Sequence, residues 1–508
     1  MSQQLSDVVD VAIIGAGFAG IGMAVGLRED GITDFAIFDK GDIGGVWRDN
    51  TYPGCRCDVP SHLYSFSFAP YRGRLRYPDQ PAILDYLHQV VERFDLTPHL
   101  RLGTAIEAAR YDDATGTWTL TTTGGARIGA RTVVFAVGLL HRPHIPVLPG
   151  LDRFTGAAWH SARWDHSVEL AGRDIAVVGT GASAVGFIPE LAERARSVTV
   201  YQRTPTWVLP KPGPRFGRLT GAAMKYLPGM HALYRSAIFR GADLVLAPIM
   251  TGGWSARPAR WLARAHLRRQ VADVRLRAAL TPEHRLGAKR ILLSSDYYRA
   301  LSRENVELVT AGIEEITADA VRTTDGRVRR ADVLVCATGF RASEFLAPIR
   351  IFGRGGRDLH RSWAGGAEAV LGTAVAGFPN MFLIAGPSTF LSSGSNIGGK
   401  QAQIGLIRAA LAWREKTGAL AIEPSTEAMS QYRGWLDRKL SSTVWPDGGP
   451  SWYKTEQGRT IAPWPGTAAA FARACRRDPA TIFVPAPTPV PVPDAGVDRG
   501  AAAVGVPR

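Results

Sequence analysis

Cysteine is scarce: the chain has four in 508 residues, at Cys55, Cys57, Cys336 and Cys475. That is too few for a disulfide scaffold, and the spacing fits neither a zinc site nor a CxxC redox pair, so no metal is expected. Acidic residues are also in short supply. Asp and Glu number 45 against 60 Lys and Arg, a formal net charge of +15. A basic surface attracts anions such as nucleic acid, acidic lipid or a polyphosphate cofactor. No DNA- or RNA-binding signature accompanies the charge, so no nucleic-acid partner is expected. Long apolar runs are missing too. The stretch at 369–390 is broken by Pro379, Pro387 and several glycines, which makes it a poor membrane span, and no integral membrane segment is expected. The first apolar run starts near Val11 without a basic n-region or a cleavage site, so the reading is cytoplasmic. Hydrophobic residues at 45% and charged residues at 21% describe an ordinary globular protein, and the length calls for two or three units.

What is present is a nucleotide-binding device in two copies. DVAIIGAGFAG, from Asp10 to Gly20, reads as a buried strand, a tight turn and a helix start. Gly15, Gly17 and Gly20 fill GxGxxG. The first two let backbone approach a pyrophosphate, and the third lets helix and strand pack closely. Asp39 closes a second strand, FAIFD. The pattern returns in DIAVVGTGASA at 174–184, with Gly179, Gly181 and Ala184 in the same slots 164 residues later. The same offset carries Asp39 onto Arg203, at the end of SVTVYQR. An acid there accepts hydrogen bonds from a ribose 2′-OH, whereas an arginine suits a 2′-phosphate. The pair therefore predicts FAD at the first fold and NADPH at the second, although Arg203 alone also fits a solvated surface residue.

These readings give an α/β fold with two Rossmann-like dinucleotide-binding domains, the second inserted in the first, and a helical insertion. The FAD domain is expected at 1–150 and again at 336–482, and the NADPH domain at 151–210 and 286–335. RTVVFAVG (131–138) and ADVLVCATGF (331–340) are the expected crossings, each a strand ending in a small-residue turn. GFPNMFLIAGPSTF (377–390) reads as a buried strand and Gly-Pro turn near a flavin ring. The Arg-rich insertion at 211–285 has a basic amphipathic face of the kind that touches membranes, but reads first as solvated helices over a core. From 483 a Pro-rich tail is expected to be disordered.

Between the two glycine motifs lies FTGAAWHSARWD, which fits FxGxxxHxxxW followed by proline or aspartate. Phe154, Gly156, His160, Trp164 and Asp165 carry the match. In this the chain resembles the flavin-dependent Baeyer–Villiger monooxygenases, class B flavoprotein monooxygenases. The resemblance runs from about residue 8 to 470 and includes GGVWRDNTYPGCRCDVPSHLYSFSF (44–68), YQRTP (201–205), ATGF (337–340) and GFPN (377–380). It implies an FAD- and NADPH-dependent enzyme that inserts one oxygen atom of O2 beside the carbonyl of a small-molecule ketone, through a C4a-peroxyflavin, giving an ester or lactone. Flavin S- or N-oxygenation of a soft nucleophile is the nearest alternative.

The resemblance also implies roles for particular residues. Arg290 matches the active-site arginine, Asp58 the acid that pairs with it, and Lys289 a residue on the NADPH 2′-phosphate beside Arg203. Gly45, Trp47, Asp58 and Tyr64 fall on the FAD side, Ser183 and Thr204 on the NADPH side. The aromatic bulk of Trp47, Tyr52, Tyr64 and Trp207 reads mainly as packing. His160 and Trp164 are expected to position the joint between domains without touching substrate. GGPSWYKTEQGRTIAPWPG (448–466) resembles a segment that approaches the substrate cavity, and packs a core equally well. There are departures: AVG replaces ATG at 136–138, Gly186 stands where glutamine is frequent, and STFLSSGS (388–395) differs from the commoner loop. Two rivals share parts of the pattern. A flavin disulfide reductase needs two redox cysteines, and Cys55-Arg-Cys57 is too tight for CxxxxC. A degenerate flavoprotein acting only as a binding module is opposed by the intact glycine motifs, Arg203, Arg290 and Asp58.

Overall fold

The computed structural model describes residues 6–487 except 214, 218, 219, 221, 224, 225 and 228. The first strand, β1 (Ser6–Ile14), ends in the run Val11–Ile14, every side chain of which is buried. Alternate residues of a strand face opposite ways. Val11 and Ile13 pack beneath α1 (Phe18–Glu29), with Ile404 and Ile407, while Ala12 and Ile14 join Trp118 and Phe378 on the other side. A strand covered on both faces needs no polar alternation, and this explains the unbroken apolar run.

Around β1 the chain lays down β2 (Phe35–Phe38), β3 (Leu100–Arg101), β4 (Ile106–Asp112), β5 (Thr117–Thr122) and β6 (Arg127–Phe135). It then leaves this sheet to build a second one. There β7 (Ala157–His160), β8 (Asp174–Val178), β9 (Ser197–Tyr201), β10 (Val306–Val309) and β11 (Val333–Cys336) are all parallel, in the order β10-β9-β8-β11-β7. The chain returns as β12 (Arg350–Phe352) and β13 (Met381–Leu383), completing an eight-stranded first sheet ordered β12-β4-β5-β6-β1-β2-β3, with β13 beside β6. β6 accommodates three partners by dividing its length. Its first half pairs antiparallel with β5, its second half parallel with β13 from Val133 opposite Met381, and its other edge with β1.

In the second sheet β8 repeats the logic of β1: Ile175 and Val177 enter one core, Ala176 and Val178 the other, and α2 (Ala182–Arg194) follows its glycine turn. The insertion is helical, with α3 (Met230–Val245) and α4 (Ala256–Gln270). The long α5 (Asn396–Thr417) packs on α1. One boundary moves. The chain expected to be a disordered tail from 483 begins with a strand, β15 (Phe483–Pro485), antiparallel to β14 (Ile422–Pro424), because Phe483 is buried against Phe382. Residues 488–508, the rest of that expected tail, lie outside the described residues.

Candidate active site

The turn after β1 is built by close approach. Gly15 has φ +114°, and a Cβ on it would stand 2.7 Å from the Ala136 carbonyl oxygen. A Cβ on Gly20 would fall 1.8 Å from the carbonyl oxygen of Gly15, so any side chain there forces α1 away from β1. Gly17 begins α1 with no side-chain cap. A helix N-terminus left this way presents N–H groups and a positive dipole end to an anion. Asp39, buried at the end of β2, accepts from the backbone N–H of Ala16 (2.8 Å) and Gly41 (2.9 Å), and pairs with Arg48 at 2.9 Å. A carboxylate offers about four acceptor positions, so one remains for a hydroxyl. Arg48 was not foreseen from the sequence.

This turn opens into a cavity of about 1380 Å³. Of the residues singled out in the sequence, Gly15, Gly17, Asp39, Gly45, Trp47, Asp58, Tyr64, Ser183 and Arg290 line it. Asp58 and Arg290, 232 residues apart, meet there at 2.6 Å, their side chains 27% and 28% exposed. The Asp58 carboxylate raises the pKa of the Arg290 guanidinium further above its already high value, so the charge is permanent. The Phe390 ring lies 5.6 Å from that guanidinium. Trp47 Nε1 donates to the Tyr64 hydroxyl at 2.9 Å, and burial pushes the Tyr64 phenol well above its usual pKa.

Two cavity lysines carry no sequence motif. Lys211 donates from Nζ to the Cys57 carbonyl at 2.9 Å and sits over the Tyr77 ring; burial lowers its pKa, with Asp58 opposing. Lys400, on α5, has one hydrogen bond, to the Asn396 carbonyl at 3.4 Å, and no carboxylate partner among the described residues. Burial brings its pKa down to about 8. The two cysteines of this region also line the cavity as free thiols, and burial raises both, Cys55 to about 11. Buried thiols with raised pKa lack the thiolate that disulfide exchange requires.

The second fold meets the same cavity from the other side. Gly179 makes the turn after β8, and Gly181 starts α2 with open space where its side chain would be. Ser183 and Gly186 line the cavity, and Ala184 is fully buried in the packing of α2, as Gly20 is in that of α1. A Cβ on Gly54 would come 2.4 Å from the Gly186 carbonyl oxygen, which marks how tightly the 44–68 segment rides on α2. Arg203, Thr204 and Lys289 lie outside the cavity wall. Arg203 is exposed, and Lys289 stands close enough to Arg203 and Lys454 that their charges, after burial, lower its pKa. Lys454 was not singled out in the sequence.

The signature segment joins the two folds. His160 accepts from Ala162 N–H at Nδ1 (3.1 Å), which leaves Nε2 as the donor to the Gly339 carbonyl (2.9 Å); burial keeps the ring neutral by lowering its pKa. Gly339 belongs to the ATGF turn where the chain crosses back. Trp164 is packed between Tyr52 of the first domain and Phe187 of α2, with ring centroids 6.4 and 5.3 Å away. Phe154 packs with Val321 and Leu334, and a Cβ on Gly156 would reach within 2.4 Å of the Asp332 carbonyl oxygen. Exposed Asp165 accepts from the N–H and hydroxyl of Ser167, a local turn, and His166 reaches Thr51 at 2.8 Å. The 448–466 segment stands behind the cavity wall: Trp452 and Tyr453 pack on Phe390. No group of three or more His, Cys, Asp or Glu among the described residues could hold a metal, and no described helix is long and apolar enough to cross a membrane.

Two dinucleotide folds facing one cavity define a pyridine-nucleotide oxidoreductase, and residues 12–216 match the pyridine nucleotide-disulphide oxidoreductase family. A Baeyer–Villiger monooxygenase of Streptomyces coelicolor is 39% identical over 510 residues, 98% of each chain. A steroid monooxygenase solved with NADP bound has a TM-score of 0.84 at 30% identity, covering 94% of this chain and 99% of that one. Cyclohexanone monooxygenase in its closed form gives 0.82 at 31% identity, over 92% and 97%. The chain belongs to the Baeyer–Villiger monooxygenases, and is an enzyme.

Proposed function

We propose that this enzyme inserts one oxygen atom of O2 next to the carbonyl of a small-molecule ketone, giving an ester or lactone, with FAD in the central cavity and NADPH at the second fold. The observation that carries the reading is the Arg290–Asp58 pair in the wall of the cavity onto which the first glycine turn opens. The residues present suit FAD: a glycine turn that admits no Cβ at Gly15 or Gly20, an uncapped helix end for phosphate, and Asp39 with an acceptor position free for a ribose hydroxyl. Gly45, Trp47 and Tyr64 complete that wall. Gly179, Gly181, Ser183 and Thr204 serve NADPH, with Arg203 and Lys289 as cations for its 2′-phosphate. Bound FAD, reduced by NADPH, supplies the oxygen activated from O2.

The chain's own part is orientation and charge. Arg290 brings a fixed positive charge with several donors to the place where negative charge gathers on the ketone oxygen. Asp58 holds the guanidinium in position and offsets the cost of burying it. Lys211 adds a second cation beside the same carboxylate. His160 stays a neutral brace on the crossing at Gly339 and has no proton to exchange with substrate. The test is incubation of purified, FAD-loaded enzyme with NADPH and a panel of ketones and sulfides under ¹⁸O₂, read by mass spectrometry. A lactone or ester carrying one labelled oxygen is expected; sulfoxide as the sole product overturns the reading.

A further inference from the structure

The outer face of the helical insertion is unlike a solvated helix. Between residues 211 and 279 the chain has two acids, Asp243 and Asp273. Asp243 is turned inward, accepting from the Ser393 hydroxyl and the N–H groups of Ala468 and Ala469, and Asp273 caps a helix through Arg275 N–H. Neither neutralises α4. Arg257, Arg260, Arg264 and Arg268 are exposed on that helix, and none pairs with a carboxylate among the described residues.

Set among these arginines are side chains that water disfavours. Trp254 is 63% exposed and Trp261 71%, with Leu244, Val245 and Leu262 exposed as well. The spacing of 257, 261, 264 and 268 puts about three turns of arginine and tryptophan on one face of α4. The opposite face, at Ala263, His266 and Leu267, is buried. The Ser255 hydroxyl donates to the Val245 carbonyl at 2.6 Å, which ties the residue after exposed Trp254 to the end of α3, where Leu244 and Val245 are exposed. The inner face bears on the cavity: His266 Nε2 meets the Ser294 carbonyl at 2.9 Å and Gln270 donates to that of Ser295 at 2.7 Å, and both serines line the cavity.

We infer that the outer face of α4, with the end of α3, docks the enzyme on a bilayer surface rich in anionic lipid. Exposed tryptophan suits the headgroup boundary, leucine and valine the first part of the acyl layer, and arginine the lipid phosphates. Nucleic acid matches the charge but offers nothing to an exposed Leu-Val-Leu-Trp surface. A protein partner matches the apolar groups, but the positive face then demands an acidic surface, and a second copy of a chain with net charge +15 is repelled as a whole. The face is peripheral in kind: it lies on a membrane without crossing it, and holds the Ser294–Ser295 wall of the cavity next to the lipid.

The test is flotation of the FAD-loaded protein with vesicles of phosphatidylcholine alone and of phosphatidylcholine with an equal share of phosphatidylglycerol. Binding is expected to the mixed vesicles, at least tenfold weaker to the neutral ones, and falling as salt rises. Trp254→Ala with Trp261→Ala should lower mixed-vesicle binding at least tenfold, and Arg257→Gln with Arg260→Gln and Arg264→Gln should remove the preference for anionic lipid. Each variant is to keep the wild-type melting temperature and flavin content, so a lost fold is told apart from a lost surface. No flotation, equal binding to both vesicles, or variants that float like the wild type overturn the inference. So does a dimer, seen by sedimentation velocity, that the tryptophan variant dissociates.

Discussion

Replacing Lys400 by methionine removes an ammonium that has no carboxylate partner among the described residues and keeps most of its volume. Burial carries this lysine from 10.5 to about 8. At about 1.4 kcal/mol per pKa unit, that is a disfavour of roughly 3 kcal/mol for the charged form. Lys400 keeps part of its surface open to the cavity, where water relieves some of the cost, so the apoprotein should gain about 1–3 kcal/mol at pH 7 from the substitution. The dependence on pH has a definite sign. Between about pH 8 and 10.5 the unfolded chain still holds a proton that the folded chain has released, so wild-type stability rises through that window. The penalty is complete below it and gone above it. The methionine variant should therefore melt higher than the wild type at pH 7, with the difference closing toward pH 10.5, by differential scanning of both apoproteins across that range. With FAD present the difference at pH 7 should shrink by about 1.4 kcal/mol, because an anionic guest offsets the ammonium's cost and FAD should dissociate about tenfold more readily from the variant, the worth of one weak charged contact. A gain that is absent at pH 7, or equal at pH 7 and 10, refutes the reasoning.

Arg203→Ala should reduce the preference for NADPH over NADH by about ten- to a hundredfold, the worth of one charged hydrogen bond; equal loss of kcat/KM with both coenzymes counts against a 2′-phosphate contact. Arg290→Ala should lower ketone oxygenation by about 10²–10³ while the protein stays yellow with FAD, and lactone formation at the ordinary rate would remove Arg290 from the chemistry.

How much of this was legible beforehand follows from distance along the chain. Gly15 and Gly20 could be read because a local feature forbids a side chain at each: a φ of +114° at Gly15, and at Gly20 a carbonyl oxygen five residues away. The sign change from Asp39 to Arg203 was legible because both units keep one spacing. The Arg290–Asp58 contact came from resemblance, since nothing in either segment alone draws together residues 232 apart. Arg48 on Asp39 and Lys211 beside Cys57 escaped notice because a lone basic residue in a single helical turn or a loop has no period. Lys400 escaped for another reason. On a helix of mixed apolar and polar residues it looks like any solvent-facing lysine, and only the tertiary placement of α5 against the cavity turns it inward. The strand at Phe483 was hidden by the prolines after it, whose composition outweighed one buried aromatic.

The pairing of β6 with β13 sets the order in which the molecule is made. Val133 waits for Met381, and the whole of the second sheet, from β7 to β11, is synthesised in the interval. That inserted unit is complete on the ribosome while the first still has a bare edge along β6. The first unit closes only after its guest has taken shape, and because α5 supplies part of the cavity wall, the cavity is finished later still. Assembly thus runs from the inside of the sequence outward, and the central chamber is sealed by the last third of the chain to emerge.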